Sequence, residues 1–312
     1  MIFKRKFILF ISLITIVHMV LCVVFIRLFN ENDELSIQIN TYKKINNAKI
    51  VLFGDSHVAR SIDVSQIDSI YSLAYFGENN MMNYYKLKYC LSNNFEKPRY
   101  IILPCDIMTY STGFNKFLTN KYFYYSLIPF SEASCLNENK LFSYYDYLKT
   151  KFIPYTEWRY ALNRMDIDRL KKSNNKFSDK SIKEQEIDAR KFIQDEILIC
   201  GDKNNLYDKN SLNYLQKTIR LCTDNNIKLV FVKFPLTHSI LNEIKFYVDS
   251  TYILKRPSDK IINQQGIPIL NFESLFINHN ELFFDSHHLN LNGRMKFTEI
   301  FKHKLDSLIK IY

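Results

Sequence analysis

The chain of 312 residues has only six glycines and one tryptophan. Glycine usually makes up about 7% of a protein, so each one here calls for a positional reason. Gly54, Gly77 and Gly293 all fall in stretches singled out below. The basic residues lack clustering. The formal charge is +10, but Lys and Arg are spread along the chain with no recognisable nucleic-acid module among them. Nucleic acid is therefore not an expected partner. The excess reads as a Lys/Asn/Ile-rich composition, and a modest attraction to anionic lipid or glycan stays open. Cys22, Cys90, Cys105, Cys135, Cys200 and Cys222 match neither a zinc spacing nor a CxxC pair. No metal and no cofactor is expected. Cys22 lies in an apolar N-terminal segment, which leaves an odd number outside it and no fully paired disulfide framework. The cysteines read mostly as small core residues. No internal repeat is visible.

Aromatics are abundant, with 21 Tyr and 25 Phe, while 47% hydrophobic and 24% charged residues are ordinary for a globular protein. Lys4, Arg5 and Lys6 precede Phe7 to Ile26, twenty residues without a formal charge. That length spans a bilayer at 1.5 Å per residue, and the basic flank predicts a cytoplasmic N-terminus with an exported remainder. A cleavable signal peptide would have a shorter apolar region and a small-x-small site. Here Val23 to Ile26 continue past any such site. The expected organisation is a transmembrane signal anchor over 1–28, a juxtamembrane stalk or short helix over 29–47, and one α/β domain over 48–312.

The domain begins with an apolar run, Lys49 to Phe53, that reads as a fully buried strand. Further strands are predicted at Tyr71 to Tyr75, Tyr100 to Leu103, Lys228 to Lys233 and Gly266 to Asn271. Between them, helices are predicted from Asn79 or Asn80, from Ser211, over Ser239 to Leu254, and at the C-terminus with Leu291, Met295, Thr298, Phe301, Leu305 and Leu308 on one stripe. Alternation at these spacings implies a parallel sheet covered on both faces, a three-layer α/β/α sandwich. From about 108 to 200 the rhythm breaks into aromatic clusters around Tyr122 to Tyr125 and Tyr144 to Tyr147, then Trp158 and a charged stretch, Lys171 to Arg190. The block is too long for a loop and reads as a mainly helical insertion capping the sheet's C-terminal edge.

Two stretches carry chemistry. The first strand ends in Gly54-Asp55-Ser56-His57, which brings Ser56 out at the C-terminal end of a strand. Ligands bind there in open α/β sheets. Far down the chain, Asp285-Ser286-His287-His288-Leu289-Asn290-Leu291-Asn292-Gly293 stands just before the last helix. A serine hydroxyl needs a base, and the base needs an orienting partner. Asp285 and His288, three apart in a turn, are spaced for a carboxylate to meet an imidazole, with His287 as a rival base. Both stretches are expected at the same sheet edge, which would let 232 residues of separation close into one site.

Together these blocks resemble the SGNH/GDSL-type hydrolases, over about 49–107 and 206–311. The resemblance implies a flavodoxin-like three-layer fold and esterase or acyl-transfer activity. It assigns Ser56 as nucleophile, Asp285 and His288 as acid and base, and Gly77 as an oxyanion donor beside the Ser56 backbone. It also favours His288 over His287, because Asp-x-x-His followed by Leu-Asn-x-x-Gly is the usual pattern. His57 does not fit the base role and is left as a substrate contact or packing residue. The chain departs from the family after the third strand. Pro104-Cys105-Asp106 stands where an oxyanion-donating asparagine is normal, so Asn79, Asn80 or a residue of the insertion is the expected stand-in.

The reading that follows is an exported, membrane-anchored serine esterase or O-acyltransferase acting on O-acetyl groups of a cell-surface glycan. A second reading is a non-catalytic member that binds glycan or a membrane-bound acyltransferase. A third is a lipase or thioesterase working near the bilayer.

Overall fold

Five strands form one parallel sheet: β1 (Ile50–Leu52), β2 (Ile70–Ser72), β3 (Tyr100–Pro104), β4 (Lys228–Lys233) and β5 (Ile269–Asn271). Their order is β2-β1-β3-β4-β5, and every neighbouring pair is parallel. The computed structural model describes residues 2–45, 47–93, 95–115, 121–136, 140–157, 176–197, 206–247 and 256–311. Trp158, Cys200, the start of the Lys171 to Arg190 stretch and the end of the helix expected to reach Leu254 lie outside the described residues. β1 and β3 are buried throughout and β4 nearly so, whereas the edge strands β2 and β5 are half-exposed. β1, β2 and β5 are shorter than the runs that encode them, because the ladder stops where the chain turns away.

The two-residue period of a strand sorts the core into faces. Ile50, Leu52, Ile102, Val230 and Val232 share one hydrophobic cluster with Phe297, Phe301 and Leu305. Those three come from the last helix, Leu291–Ile311. Val51, Ile101, Leu103 and Phe231 alternate with that set and are equally buried. The stripe expected on the last helix needs correction at its N-terminal end. Leu291 and Met295 are 40% and 51% exposed and Phe297 is buried instead, while Thr298 is buried as expected. Buried Phe297 and Phe301 lie four apart, so the buried stripe runs through them and leaves Leu291 and Met295 on the outward side.

The chain divides into two compact units, one of 1–41 with 120–167, the other of 42–119 with 168–312. The first unit contains α1 (Ile2–Asn32), most of α2 (Glu34–Lys44), α6 (Lys121–Leu127) and α7 (Lys140–Phe152). Asp33 separates α1 from α2 and caps the latter, its carboxylate accepting from Ser36 N and Oγ at 2.8 Å each. Within α1, Phe3–Arg27 has a mean hydropathy of 2.9 and is largely unburied, Phe25 excepted, so it is long and apolar enough to cross a membrane. Partway along it, His18 Nδ1 lies 3.1 Å from Tyr155 Oη, and the Cys22 thiol donates to the Phe152 carbonyl at 3.6 Å.

The second unit holds the sheet with α3 (Ser56–Ser61), α4 (Asn80–Ser92), α5 (Thr112–Asn115), α8 (Ile182–Phe192), α9 (Lys209–Asp224), α10 (His238–Tyr247), α11 (Pro257–Gln264) and α12 (Leu291–Ile311). Ser181 and Glu184 form a reciprocal capping box that starts α8. Phe192 and Ile193 at its end join Ile240 and Ile244 of α10 in a second cluster. Asp208 starts α9, accepting from Asn210 N and Ser211 N. The helix therefore begins two residues before Ser211, which is buried within its first turn.

Candidate active site

Ser56 is presented by a turn that only glycine permits. Gly54 has φ +142°, and a Cβ there would stand 2.4 Å from Val58 Cγ2 and 2.7 Å from Pro104 Cδ. The backbone can thus leave β1 hard against the end of β3. Asp55 follows in an extended conformation, and its carboxylate accepts from His57 N at 2.9 Å, capping α3. Burial is the main influence that pushes the Asp55 carboxyl up to about 6, with Asp106 adding to it and His57 opposing. Ser56 is then the first residue of α3, beside the β1/β3 junction where the 2-1-3-4-5 strand order reverses.

The partner stretch is a closed loop. Phe283 and Leu289 pair as an isolated antiparallel bridge, and Phe284 N donates to His288 O at 2.8 Å. Asn290 locks the base of the loop, donating to Glu281 O at 2.8 Å and accepting from Gly293 N at 3.0 Å. A Cβ on Gly293 would lie 2.1 Å from the Leu282 carbonyl, so the Leu-Asn-x-x-Gly pattern lets α12 start directly against the loop. From outside the loop, Thr237 Oγ1 donates to Ser286 O at 2.6 Å.

Inside it, Asp285 Oδ1 accepts from His287 N at 3.0 Å and His288 N at 2.7 Å, and Oδ2 lies 2.8 Å from His288 Nδ1. His288 Nε2 lies 2.8 Å from Ser56 Oγ. Burial alone would raise the Asp285 carboxyl, but His287, His288 and the hydrogen bonds hold it well below the usual carboxylate range. Burial lowers the His288 imidazole below its ordinary 6.5, with Asp285 opposing and His57 and Arg60 reinforcing. An ionised carboxylate only accepts. In neutral His288, therefore, Nδ1 carries the proton, and the Nε2 lone pair is left to accept from the serine hydroxyl. Such a chain can take a proton from Ser56 and return it.

His287 does not occupy that position. Its Nδ1 is 3.2 Å from Ser286 Oγ, and its ring stacks on Phe192 with centroids 3.7 Å apart. Burial, with the neighbouring His288, keeps its pKa well below the usual value. His57 stacks on His287 at 5.5 Å and turns Nδ1 toward Asp106 Oδ2 at 3.7 Å. His57, His287 and His288 each offer a ring nitrogen within 4.8 Å of the others, a spacing that could hold a metal ion. Both nitrogens of His288, however, already face Asp285 and Ser56.

A cavity of about 300 Å³ opens over Ser56, lined by Gly77, His57, His287, His288 and Asp285 together with Phe76, Phe114, Phe192, Phe284, Met108 and Arg60. Gly77 has φ +69°. Its loop is pinned by the neighbouring Glu78, which forms a fully buried ion pair with Lys86 of α4. Lys86 also donates to the Leu73 carbonyl. Asn79 and Asn80 do not line this cavity. Asn79 caps α4, accepting from Met82 N at 3.0 Å, and Asn80 Nδ2 donates to Ser211 Oγ at 2.7 Å and Thr109 O at 3.4 Å. Asn79 Oδ1 and Asn80 Nδ2 thus serve the start of α4, and neither residue lines the cavity where a stand-in was expected. Asp106 also stays out of the cavity, its Oδ1 accepting from Thr109 N at 3.2 Å and Oγ1 at 2.8 Å. Sequence reasoning did not single out the individual apolar lining residues or Arg60. For Arg60 a signal was present, since it lies four residues after Ser56 and therefore on the same helix face.

A protein-family model matches residues 183–310, the stretch that contains Asp285 and His288. No curated protein matches the chain in sequence. Among solved structures, it is similar to a GDSL-like lipase from Bacteroides thetaiotaomicron, at 9% identity over 88% of this chain and 98% of that one, with a TM-score of 0.44. It is also similar to a protein of Bacteroides fragilis assigned to the acylhydrolases, at 10% identity over 88% and 95%, with a TM-score of 0.43.

Proposed function

We propose that the chain is a membrane-anchored serine ester hydrolase or O-acyltransferase, with Ser56, His288 and Asp285 as its catalytic triad. One observation carries this reading: the unbroken chain of 2.8 Å contacts from Ser56 Oγ through His288 to Asp285 at the floor of a cavity. Ser56 Oγ adds to the ester carbonyl carbon as its proton passes to His288 Nε2. The tetrahedral intermediate collapses, the C–O bond to the alcohol breaks, and the leaving oxygen takes the proton from His288. A second acceptor, deprotonated by His288 Nε2, then attacks the acyl-Ser56 ester, and the C–O bond to Ser56 breaks as its oxygen takes the proton back from His288. Water as acceptor gives hydrolysis, and a sugar hydroxyl gives transfer. The backbone N–H groups of Ser56 and Gly77 are the proposed oxyanion donors.

The apolar helix α1 supports anchoring. The reading further puts the α/β domain on the exported side, with an O-acylated surface glycan as substrate. The same unit offers further support. Leu141, Phe142, Tyr145, Leu148 and Phe152 expose one side of α7, and Phe152 touches α1 at Cys22. The five aromatic and methionine side chains around the cavity also favour a second reading, in which longer acyl chains are taken. The test is release of chromophore from a series of aryl esters, acetyl to decanoyl, by the full chain in detergent. Ser56→Ala is expected to abolish turnover. Equal rates in the two proteins would sink the triad, and a rate rising with chain length would select the lipase-like reading.

A further inference from the structure

Among the described residues, Arg60 is a buried cation at the cavity without a hydrogen-bond acceptor. It is 8% exposed and lines the same space as Ser56 and His288. Its guanidinium carbon lies 4.9 Å from the centre of the Phe284 ring and 5.5 Å from that of Phe76. The two rings contribute cation–π attraction at their faces but cannot accept the in-plane N–H bonds of a guanidinium, which has five donors in a fixed fork. Nε is buried without a partner. Among the described residues the guanidinium makes no hydrogen bond, and Asp285 acts on it only through space, without a direct ion pair. Taking a charge out of water costs several kcal/mol unless a partner compensates. A side chain held in that state at the wall of a cavity is set for an acceptor that arrives from outside.

We propose that Arg60 is the anion-recognition residue of this site, and that the ester it admits carries a carboxylate or a comparable oxyanion close to the scissile carbonyl. This rests on the reading of the cavity as an ester site and names its substrate class. The fork geometry of a guanidinium matches a carboxylate with two parallel N–H···O bonds. The flanking phenyl rings exclude water and keep the fork in place. The anion can belong to the alcohol, as in an acidic sugar, or to the acyl group, as in a dicarboxylic hemiester.

The experiment compares matched pairs on the full chain in detergent. Mono-O-acetyl glucuronate against mono-O-acetyl glucose places the charge on the alcohol. 4-Methylumbelliferyl hemiglutarate against the butyrate places it on the acyl group. In at least one pair the wild type is expected to favour the anion in kcat/KM. Arg60→Met is expected to cut that preference by about 10- to 100-fold, the size of a lost charged hydrogen bond, and Arg60→Lys to keep part of it. No preference in either pair overturns the proposal. So does a preference that survives Arg60→Met, or an equal fall on charged and neutral esters, as an oxyanion donor or a purely structural residue would give. If Arg60→Met does not fold, Arg60→Gln is held to the same ratio. If the wild type turns over no ester, calorimetric binding of glucuronate and glutarate, against glucose, decides independently. Binding lost in Arg60→Met upholds the proposal, and no binding by the wild type, or equal binding by both proteins, overturns it.

Discussion

Replacing Asp285 by asparagine isolates what the carboxylate does for His288. In the native loop Oδ1 accepts two backbone N–H groups, those of His287 and His288. An asparagine side chain can keep both bonds only if its own carbonyl oxygen takes the Oδ1 position. The amide nitrogen is thereby forced into the Oδ2 position, 2.8 Å from His288 Nδ1. An amide N–H₂ only donates, so Nδ1 must accept and the ring proton moves to Nε2. The nitrogen facing Ser56 at 2.8 Å then carries a hydrogen and cannot take the serine's proton. A wrong tautomer in a triad lowers turnover by ~10⁴, equivalent to about 5.5 kcal/mol of transition-state free energy at 1.36 kcal/mol per decade. The fold should be little affected, because both backbone bonds persist. The assay is kcat/KM on a chromogenic acetyl ester at pH 8, beside a thermal melt. A melt close to wild type with less than a tenfold loss of kcat/KM would refute the tautomer argument and the role given to Asp285.

The pH profile follows from His288, which must be neutral to act as a base. Burial holds its pKa below 6.5, so kcat/KM on a neutral ester is expected to rise with pH along an acidic limb whose midpoint lies below 6.5. A midpoint above 7 contradicts the electrostatics of the site. Gly54→Ala places a methyl 2.4 Å from Val58 Cγ2 at φ +142°. Strain and overpacking together are expected to cost at least ~2 kcal/mol in denaturant unfolding, and a neutral result would mean the β1 turn relaxes freely. Lys86→Met leaves Glu78 buried without its cation and is expected to destabilise by about 3–5 kcal/mol. Glu78→Gln added to it should recover part of that loss, and strict additivity would refute the pairing. Asp106→Asn introduces the residue type usual after the third strand, but this side chain faces Thr109 and His57 rather than the cavity. No gain approaching the ~10² of a restored oxyanion donor is expected in kcat/KM.

The strands were legible because each central one is an apolar run ending at a turn residue. Lys228–Lys233 forms a strand over the full span expected, where both faces of β4 are covered. The edge strands were less legible. β5 begins at Ile269 rather than Gly266, because Pro268 and its neighbours lie before the ladder. Helix faces depend on what they pack against. Met295 and Phe297 are both apolar, and only the sheet decides that Phe297 is buried while Met295 is not. Lys86 was unreadable for the same reason. An exposed lysine is the ordinary expectation, and nothing local to α4 signals that Glu78 waits beside it in the interior.

The site was legible at residues whose roles are written into backbone turns. Gly54 and Gly293 are forced by approaches of 2.4 Å and 2.1 Å that any Cβ would make, so the motifs containing them mark where Ser56 and Asp285 emerge. Residues that reach the cavity from elsewhere carry no such mark. Phe114, Phe192 and Phe284 come from three separate segments, and in a chain with 25 phenylalanines none stands out. Asn79 and Asn80 fail in the opposite way. They sit two and three residues beyond Gly77, near enough to suggest an oxyanion contact, yet a helix starts there. Its unpaired N–H groups take Asn79 as a cap, and Asn80 is drawn inward to Ser211. Neither side chain lines the cavity. Asp106 brings less repulsion than its position in the sequence suggests, because one of its oxygens is held by Thr109 and the other faces His57. The Asp106 side chain thus faces Thr109 and His57 rather than the cavity. On the proposed reading, the developing oxyanion is met by the backbone N–H groups of Ser56 and Gly77.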